Sequence, residues 1–201
     1  MEERTTMNIP VIALRGLTVF PDLTLSFDVE REISIYALDS AMDTDERLVF
    51  LVTQRDIATL APTEDDLYTV GTICRILQIL KTSETSVRVI VEGQQRARIH
   101  RAALRRLWQT KPFLQANVEL LEEDFPGRMT PRMEAMIRQT YVLFDEYKEL
   151  VPNLNDEFVA AVLDCRDPGH LADFIAQNIN LRHNARQRVL EDLNPVKRLR
   201  L

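Results

Sequence analysis

Two apolar runs separated by a short polar stretch dominate the middle of the chain. The segment from Val70 to Ile99 is rich in isoleucine, leucine and valine, and a polar tetrapeptide at 83–86 interrupts it. Neither run reaches the length of a globular helix before the turn signal, so the pattern predicts a β-hairpin. Valines at alternate positions from 87 to 91 indicate a second strand with one buried face. The first strand carries apolar residues on both faces, which predicts a central position covered from above and below.

The pattern before this hairpin predicts three more strands and a helix. Apolar runs predict strands over 9–14 and 48–52, and strict alternation over 23–29 predicts a strand with one core face and one solvent face. The spacing of apolar residues changes to three or four over 33–42. This change predicts a single amphipathic helix between the strands.

An apolar segment lies where a polar loop would be expected, between Gly16 and the strand at 23–29. Two interpretations are open. Val19 and Phe20 fold into the core beside the first strand, or the segment forms an exposed apolar patch that captures partner proteins. On the second interpretation the candidate protein-binding residues are Leu17, Val19, Phe20 and Pro21.

The pattern becomes helical after residue 124, which divides the chain into a β-rich part, 1–124, and a helical part, 125–201. Thr130 before a proline, Asn155 and Asp167 are the residue types that cap helix amino termini, so each predicts the start of a helix. A fourth helix is predicted around 184–193. The tail beyond it is either frayed or the beginning of a longer chain.

Composition narrows the class of protein. Of 201 residues, 45% are hydrophobic and 28% are charged, as in globular domains. No apolar run approaches the roughly 20 residues of a membrane helix, and the amino terminus lacks the apolar core of a secretory signal. The chain is therefore predicted to have no membrane partner. The presence of only two cysteines, Cys74 and Cys165, favours a reduced protein of the cytoplasm.

One basic segment keeps an alternative function open. Arginine, lysine and histidine accumulate between Arg96 and Lys111, and no acidic residue interrupts them. On this alternative the segment tracks a phosphate backbone and Trp108 stacks on a base, which would make the chain a free-standing adaptor or RNA-binding protein. The net charge of −6 opposes a dedicated nucleic-acid binder, and acidic residues from Glu119 onward are placed to neutralise the arginines across strands.

Motifs of catalysis are missing from the sequence. None of the five glycines is followed by lysine, as a P-loop requires, and no G-x-S-x-G elbow occurs. The three histidines lack metal-ligand spacing with each other or with the cysteines. The sequence therefore predicts no catalytic, cofactor-binding or metal residue, although a complete small enzyme with a site assembled from distant residues stays a third alternative.

Four segments carry a family resemblance that spans nearly the whole chain. They are PVIALRGLTVFP at 10–21, FLVTQRD at 50–56, LYTVGTICRILQIL with VEGQQRARI within 67–99, and DPGHLAD at 167–173. In these segments the chain resembles the amino-terminal domain of the Lon ATP-dependent proteases, and the third segment is the most specific.

The resemblance implies an α+β fold, in which a β-rich PUA-like pseudo-barrel is followed by a small α-helical bundle. It implies a non-catalytic domain that recognises unfolded or damaged proteins and helps copies of the parent chain assemble into a ring, expected to be a hexamer. ATP with Mg²⁺, and a Ser-Lys peptidase dyad, would belong to later domains of the family. No catalytic residue is carried over, because the matching positions do not occur in this sequence.

Overall fold

The computed structural model describes residues 5–100, 113–125, 127–151 and 154–201. A mixed sheet and one helix make up its first part. The strands are β1 (Thr6–Leu14), β2 (Thr24–Val29), β3 (Leu48–Thr53), β4 (Val70–Lys81), β5 (Val87–Ile99) and β6 (Leu114–Leu120), with helix α1 (Glu32–Met42) between β2 and β3 and a 3₁₀ turn at Glu64–Asp66.

The sheet closes on itself. Its strand order is β2-β5-β4-β3-β1-β6, and a further pairing joins β5 to β6. β1 runs parallel to β3, while the other neighbours are antiparallel. Because β5 is long, its amino-terminal half pairs with β2 and its last residues pair with β6. Closure removes most of the exposed strand edges that an open sheet would present.

Two hydrophobic clusters occupy the two faces of the sheet. β1 contributes alternate residues to both, with Ile12 and Leu14 in one cluster and Val11 and Ala13 in the other. β3 divides its apolar residues in the same way. The first cluster includes the buried face of α1, so the helix covers that side of the sheet. Apolar residues on both faces of a strand are therefore the sequence signature of this layered core.

Helices make up the second part of the chain. They are α2 (Pro131–Leu150), α3 (Asp156–Asp164), α4 (Pro168–Asn178), α5 (His183–Glu191) and the single turn α6 (Pro195–Arg198). Ile137, Phe144, Val162 and Leu171 form their buried core, with partly buried aromatic rings around it. Thr130, Asn155 and Asp167 accept hydrogen bonds from the first turns of α2, α3 and α4, which confirms the three predicted caps.

The chain divides into two compact units, Met1–Leu121 and Glu122–Leu201. The division predicted from the sequence, after residue 124, stays a prediction. The α+β class, with a closed β-rich part followed by helices, is confirmed by the strands and helices themselves.

The structure corrects three details of the sequence interpretation. The last residues of β4 are exposed rather than covered on both faces, because β3 pairs only with Thr72–Arg75. Ile33, placed on the buried face of the predicted helix, is largely exposed. The tail is not frayed, because Asn194 caps α6 and the side chain of Arg198 is fully buried.

Candidate protein-binding surface

The 17–21 segment is held against the sheet through its own carbonyl groups. Thr53 Oγ1 donates a hydrogen bond to Leu17 O over 2.6 Å, and Thr72 Oγ1 donates to Val19 O over 2.6 Å. Both threonines are buried. Since a buried carbonyl needs a hydrogen-bond partner, these hydroxyls allow the apolar segment to pack on the core.

The structure places the four predicted binding residues mostly inside. Val19 is 3% exposed and Phe20 is 0% exposed, while Leu17 and Pro21 are half-buried. Gly93 lies so close that a Cβ atom there would collide with the carbonyl of Phe20. The interpretation of the segment as an exposed apolar patch is therefore wrong for Val19 and Phe20, and the core interpretation is correct. Protein binding by the four residues stays a prediction.

The loop at residues 56–60 carries exposed apolar side chains, whereas the apolar side chains of the 17–21 segment are mostly buried. Ile57 is 53% exposed and Leu60 is 76% exposed. Ile57 lies beside Gly16, so the loop adjoins the turn that follows β1. Gly16 has a φ of +65°, and any residue with a Cβ atom would be strained in this backbone conformation. The two side chains of this loop thus provide exposed apolar surface close to the start of the 17–21 segment.

A buried glutamine holds the 56–60 loop in place. Gln54 Nε2 donates to Asp56 O over 2.7 Å and to Thr59 O over 2.9 Å. Its Oε1 accepts from Arg31 Nη2 over 2.8 Å. Arg31 Nη1 in turn donates to Ala13 O in β1 over 3.2 Å. The loop is thus connected through two side chains to the central sheet, so its apolar residues are presented in a fixed position.

A cleft of 360 Å³ opens beside Arg31. Burial and, to a smaller extent, the charge of Arg15 lower the pKa of Arg31. Asp28 accepts two hydrogen bonds of 2.8 Å from Arg88, and this pairing lowers the pKa of Asp28, so the carboxylate stays ionised at neutral pH. The cleft therefore combines an apolar wall with acidic and basic side chains. Its lining residues are Ile12, Ala13, Leu14, Arg15, Leu17, Phe27, Asp28, Val29, Glu30, Arg31 and Ser34.

The basic segment proposed for nucleic acid lies only partly within the described residues. Arg96 is buried, and His100 lies 3.4 Å from Glu119 across the sheet. Arg98 also stands opposite Glu119 in the β5–β6 register. Positions 101–111 lie outside the described residues. Glu119 is thus placed with both Arg98 and His100, as the cross-strand interpretation expects.

The described ranges contain neither a metal site nor a helix that could span a membrane. There, no group of three histidine, cysteine or acidic side chains is placed to hold a metal ion. In the same part of the chain, no helix combines the length and the apolar character needed to cross a bilayer.

Sequence reasoning missed the exposed residues of the 56–60 loop. Gln54 lies beyond the strand predicted over 48–52, where a polar residue normally indicates a solvated loop, whereas its side chain is fully buried. One available signal was the presence of Ile57 and Leu60 in a stretch of polar and small residues just before Pro62. Such residues in a loop, with no strand or helix period, suggest exposure or local packing, and only the structure distinguishes the two.

Comparison with protein families gives a match over nearly the whole chain. Residues 8–201 match the family model described as "ATP-dependent protease La (LON) substrate-binding domain". The Lon protease of Clostridioides difficile is 36% identical over 196 residues, which are 96% of this chain and 24% of that protein. Lon protease 1 of Bacillus subtilis is 35% identical over 199 residues, 99% of this chain and 25% of that protein. The chain thus spans about a quarter of the length of these relatives.

Solved structures agree on the fold. The "N terminal domain of Mycobacterium avium complex Lon protease" superposes with a TM-score of 0.71 at 20% identity, covering 96% of this chain and 95% of that one. The Lon N-terminal domain protein from Xanthomonas campestris gives a TM-score of 0.61 at 16% identity. With the family model matching residues 8–201, the chain belongs to the Lon substrate-binding domain family.

Proposed function

We propose that this chain is the protein-recognition domain of an ATP-dependent Lon-type protease and that it binds unfolded or damaged proteins through exposed apolar side chains. The match of residues 8–201 to a substrate-binding domain family carries the proposal. Hydrolysis of ATP with Mg²⁺ and peptide cleavage by a Ser-Lys dyad are assigned to the remaining three quarters of a parent chain. The proposed setting is protein quality control in the cytoplasm, and the free thiols of Cys74 and Cys165 fit such a reducing compartment.

The 56–60 loop is the proposed contact in the first unit. Folded proteins bury their apolar side chains, whereas unfolded chains expose them, so an exposed apolar surface selects for the unfolded state. Burying the exposed parts of Ile57 and Leu60 would contribute roughly 2–4 kcal/mol in total. An energy of about 4 kcal/mol corresponds to a Kd near 1 mM.

Assembly of several copies compensates for this weak binding. A long unfolded chain that reaches several recognition domains in one ring experiences a high effective concentration, and its overall affinity rises without any new type of contact. The proposal therefore includes a ring of parent chains, expected to be a hexamer, in which weak individual sites act together. Weak single sites also permit release of the substrate toward the proteolytic part.

Replacing both loop residues tests the proposal. The Ile57→Ser/Leu60→Ser variant is expected to bind reduced, carboxymethylated ribonuclease at least about tenfold more weakly. The substitutions remove the apolar contacts of both side chains, and a loss of about 1.4 kcal/mol of binding free energy raises the Kd tenfold. Titration calorimetry or fluorescence anisotropy measures the affinity. Native ribonuclease, which exposes little apolar surface, should not bind the unchanged chain.

The matched control uses apolar residues of similar exposure on α2. Val142 and Leu143 are 60% and 56% exposed, so Val142→Ser/Leu143→Ser removes a comparable apolar area from the other unit. This variant should bind the unfolded protein as the unchanged chain does. Equal loss in both double variants would reject the 56–60 loop as the specific contact, and absence of binding by the unchanged chain would reject the recognition function.

A further inference from the structure

Among the described residues, no strand lies beside the outer edge of β4 after Ile76. β3 pairs with Thr72–Arg75, and the last backbone hydrogen bond on that side, within the same residues, is the one of 2.9 Å from Ile76 N to Arg47 O. Of the described strands, only β5 pairs with Gln78–Lys81, and Leu77 lies in a bulge that has no partner in the β4–β5 register. We call Leu77–Lys81 the β4 edge. It is the part of β4 in which exposed residues replace buried ones.

The register of the hairpin shows which backbone groups point away from β5. Thr82 N donates to Ser86 O over 3.1 Å, so this pair is hydrogen-bonded. Antiparallel pairs alternate between hydrogen-bonded and non-hydrogen-bonded positions. The pairs of Gln78 and Leu80 therefore bond to β5, whereas Ile79 and Lys81 direct their N–H and C=O groups away from it.

Apolar side chains accompany these outward backbone groups. Leu77 is 47% exposed and Leu80 is 43% exposed. Leu80 shares the solvent-facing side of the strand with Gln78, because Ile79 between them packs on the first hydrophobic cluster. The β4 edge thus combines a row of backbone donors and acceptors with leucine side chains above it.

We propose that the β4 edge binds an extended apolar segment of an unfolded polypeptide, which adds to the sheet as a further strand next to β4. The inference rests on the proposed function, because the occupant is an unfolded protein. Outward N–H and C=O groups at alternate residues are matched by the backbone of an extended chain, which offers the same groups at the same spacing. A folded protein has already paired its backbone groups, so the edge selects for unfolded segments through the backbone, in addition to the selection by apolar contact.

Two features limit the length of the added strand. A bulge between Ile76 and Gln78 shifts the register, and Lys81 places a charge at the far end. Bulges and edge lysines are devices by which natural sheets avoid permanent edge-to-edge pairing. The β4 edge therefore pairs with only a few residues at a time, which suits reversible binding of many different sequences.

The β4 edge and the 56–60 loop lie toward opposite ends of the sheet. β4 is antiparallel to β3, so the end of β3 that leads into the loop lies beside the beginning of β4. Val70 and Leu80 are ten positions apart, a length of roughly 30 Å along β4. Because β3 occupies the outer side of β4 over Thr72–Arg75, a strand added at the β4 edge ends there, and the two surfaces bind separate segments of an unfolded chain.

Backbone methylation of a peptide tests strand addition directly. We suggest a ten-residue peptide of alternating valine and threonine and two derivatives that are N-methylated at either the odd or the even positions. An added strand points every second N–H toward β4, so one derivative should bind at least about fivefold more weakly while the other binds like the parent peptide. Side-chain contact alone would affect both derivatives equally. Equal affinity of the two derivatives would overturn the inference.

A pair of substitutions at Lys81 tests the protein side of the contact. Lys81→Pro removes an outward N–H without removing a hydrogen bond of the β4–β5 ladder, because proline is tolerated where the N–H faces away. Lys81→Ala keeps the N–H and removes only the side chain. The proline variant is expected to bind the parent peptide about tenfold more weakly than the alanine variant, with equal circular dichroism spectra. Equal binding by the two variants would overturn the inference.

The outcomes separate the inference from the proposed function. If the derivatives and the Lys81 variants bind alike while carboxymethylated ribonuclease still binds through Ile57 and Leu60, strand addition is wrong and the recognition function stands. If the unchanged chain binds no unfolded polypeptide, both are wrong. If the chain alone forms dimers that Lys81→Pro abolishes, the occupant is a second copy of the chain, and the inference is overturned in favour of edge-to-edge assembly. The peptide arm needs no variant, so it decides the question even if Lys81→Pro does not fold.

Discussion

A buried glutamine and a half-buried arginine determine how the apolar loop of the first unit is presented. Gln54 and Arg31 together satisfy backbone carbonyls of the 56–60 loop and of β1. Sequence patterns cannot predict this arrangement. A glutamine after a strand normally indicates a solvated loop, and its burial here depends on Arg31, which lies 23 positions away. The same holds for Val19 and Phe20, whose burial depends on hydroxyl donors from β3 and β4.

Removing the glutamine is expected to destabilise the first unit. In Gln54→Ala, the carbonyl of Asp56 loses its donor, the carbonyl of Thr59 keeps only the hydrogen bond of 3.4 Å from Arg31, and Arg31 loses an acceptor. A hydrogen bond contributes about 0.5–1.5 kcal/mol net and three are lost, so the free energy of unfolding should fall by about 2–4 kcal/mol. Urea denaturation followed by circular dichroism measures this change.

An exposed glutamine of the same unit provides the comparison. Gln78 lies on the solvent side of β4, so Gln78→Ala should change the free energy of unfolding by less than about 0.5 kcal/mol. Equal effects of the two substitutions would contradict a structural role for the Gln54 hydrogen bonds. The Gln54 variant should also bind unfolded protein more weakly, because its loop is no longer fixed.

Elements whose signals are local in sequence were predicted well. The hairpin of β4 and β5, the alternating strand β2 and the caps of α2, α3 and α4 depend on residues within a few positions of each other. The exposed end of β4 was not predicted, because its exposure depends on where β3 begins to pair. Burial of a strand is set by its neighbours, and the strand's own apolar residues do not reveal how far those neighbours extend.

Substitution of one helix cap is expected to show how much a local capping residue contributes to the free energy of unfolding. Asp167 Oδ1 accepts a hydrogen bond of 2.7 Å from His170 N at the start of α4. Asp167→Ala removes the acceptor and should lower the free energy of unfolding by about 1 kcal/mol. Asp167→Asn retains a side-chain oxygen and should lower it by no more than a few tenths of a kcal/mol. Thermal unfolding of both variants measures the difference, and an equal loss in the two would show that charge, not capping, stabilises this helix.

At the scale of the whole molecule, hydrophobic periods predicted a β-rich part followed by helices, and the family resemblance implied that the β-rich part is a pseudo-barrel. The comparisons confirm the family. The way in which the sheet closes is not evident from the sequence, since a strand of 13 residues gives no indication that its two halves have different partners, β2 and β6. Burial of an arginine in the tail was also missed, because lysine and arginine in a terminal segment usually indicate solvent exposure.

Arg198 connects the tail to the rest of the helical unit. The side chain of Arg198 is fully buried, forms an ion pair with Glu123 and lies 3.5 Å from Asp173, whose own side chain is only 4% exposed. Glu123 lies at the beginning of the unit and Arg198 near its end, 75 positions later. The pair therefore joins the two ends of the unit, and α6, which carries Arg198, belongs to its structure.

Replacing this arginine should destabilise the helical unit more than any surface substitution. In Arg198→Ala, the buried carboxylate of Asp173 loses its cationic neighbour, and breaking a buried pair from one side costs about 3–5 kcal/mol. Arg200→Ala, two positions later at an exposed site, should be nearly neutral. Urea denaturation and limited proteolysis of α4 and α6 measure the effect. Equal stability of the two variants at neutral pH would mean that α6 is dispensable for the helical unit.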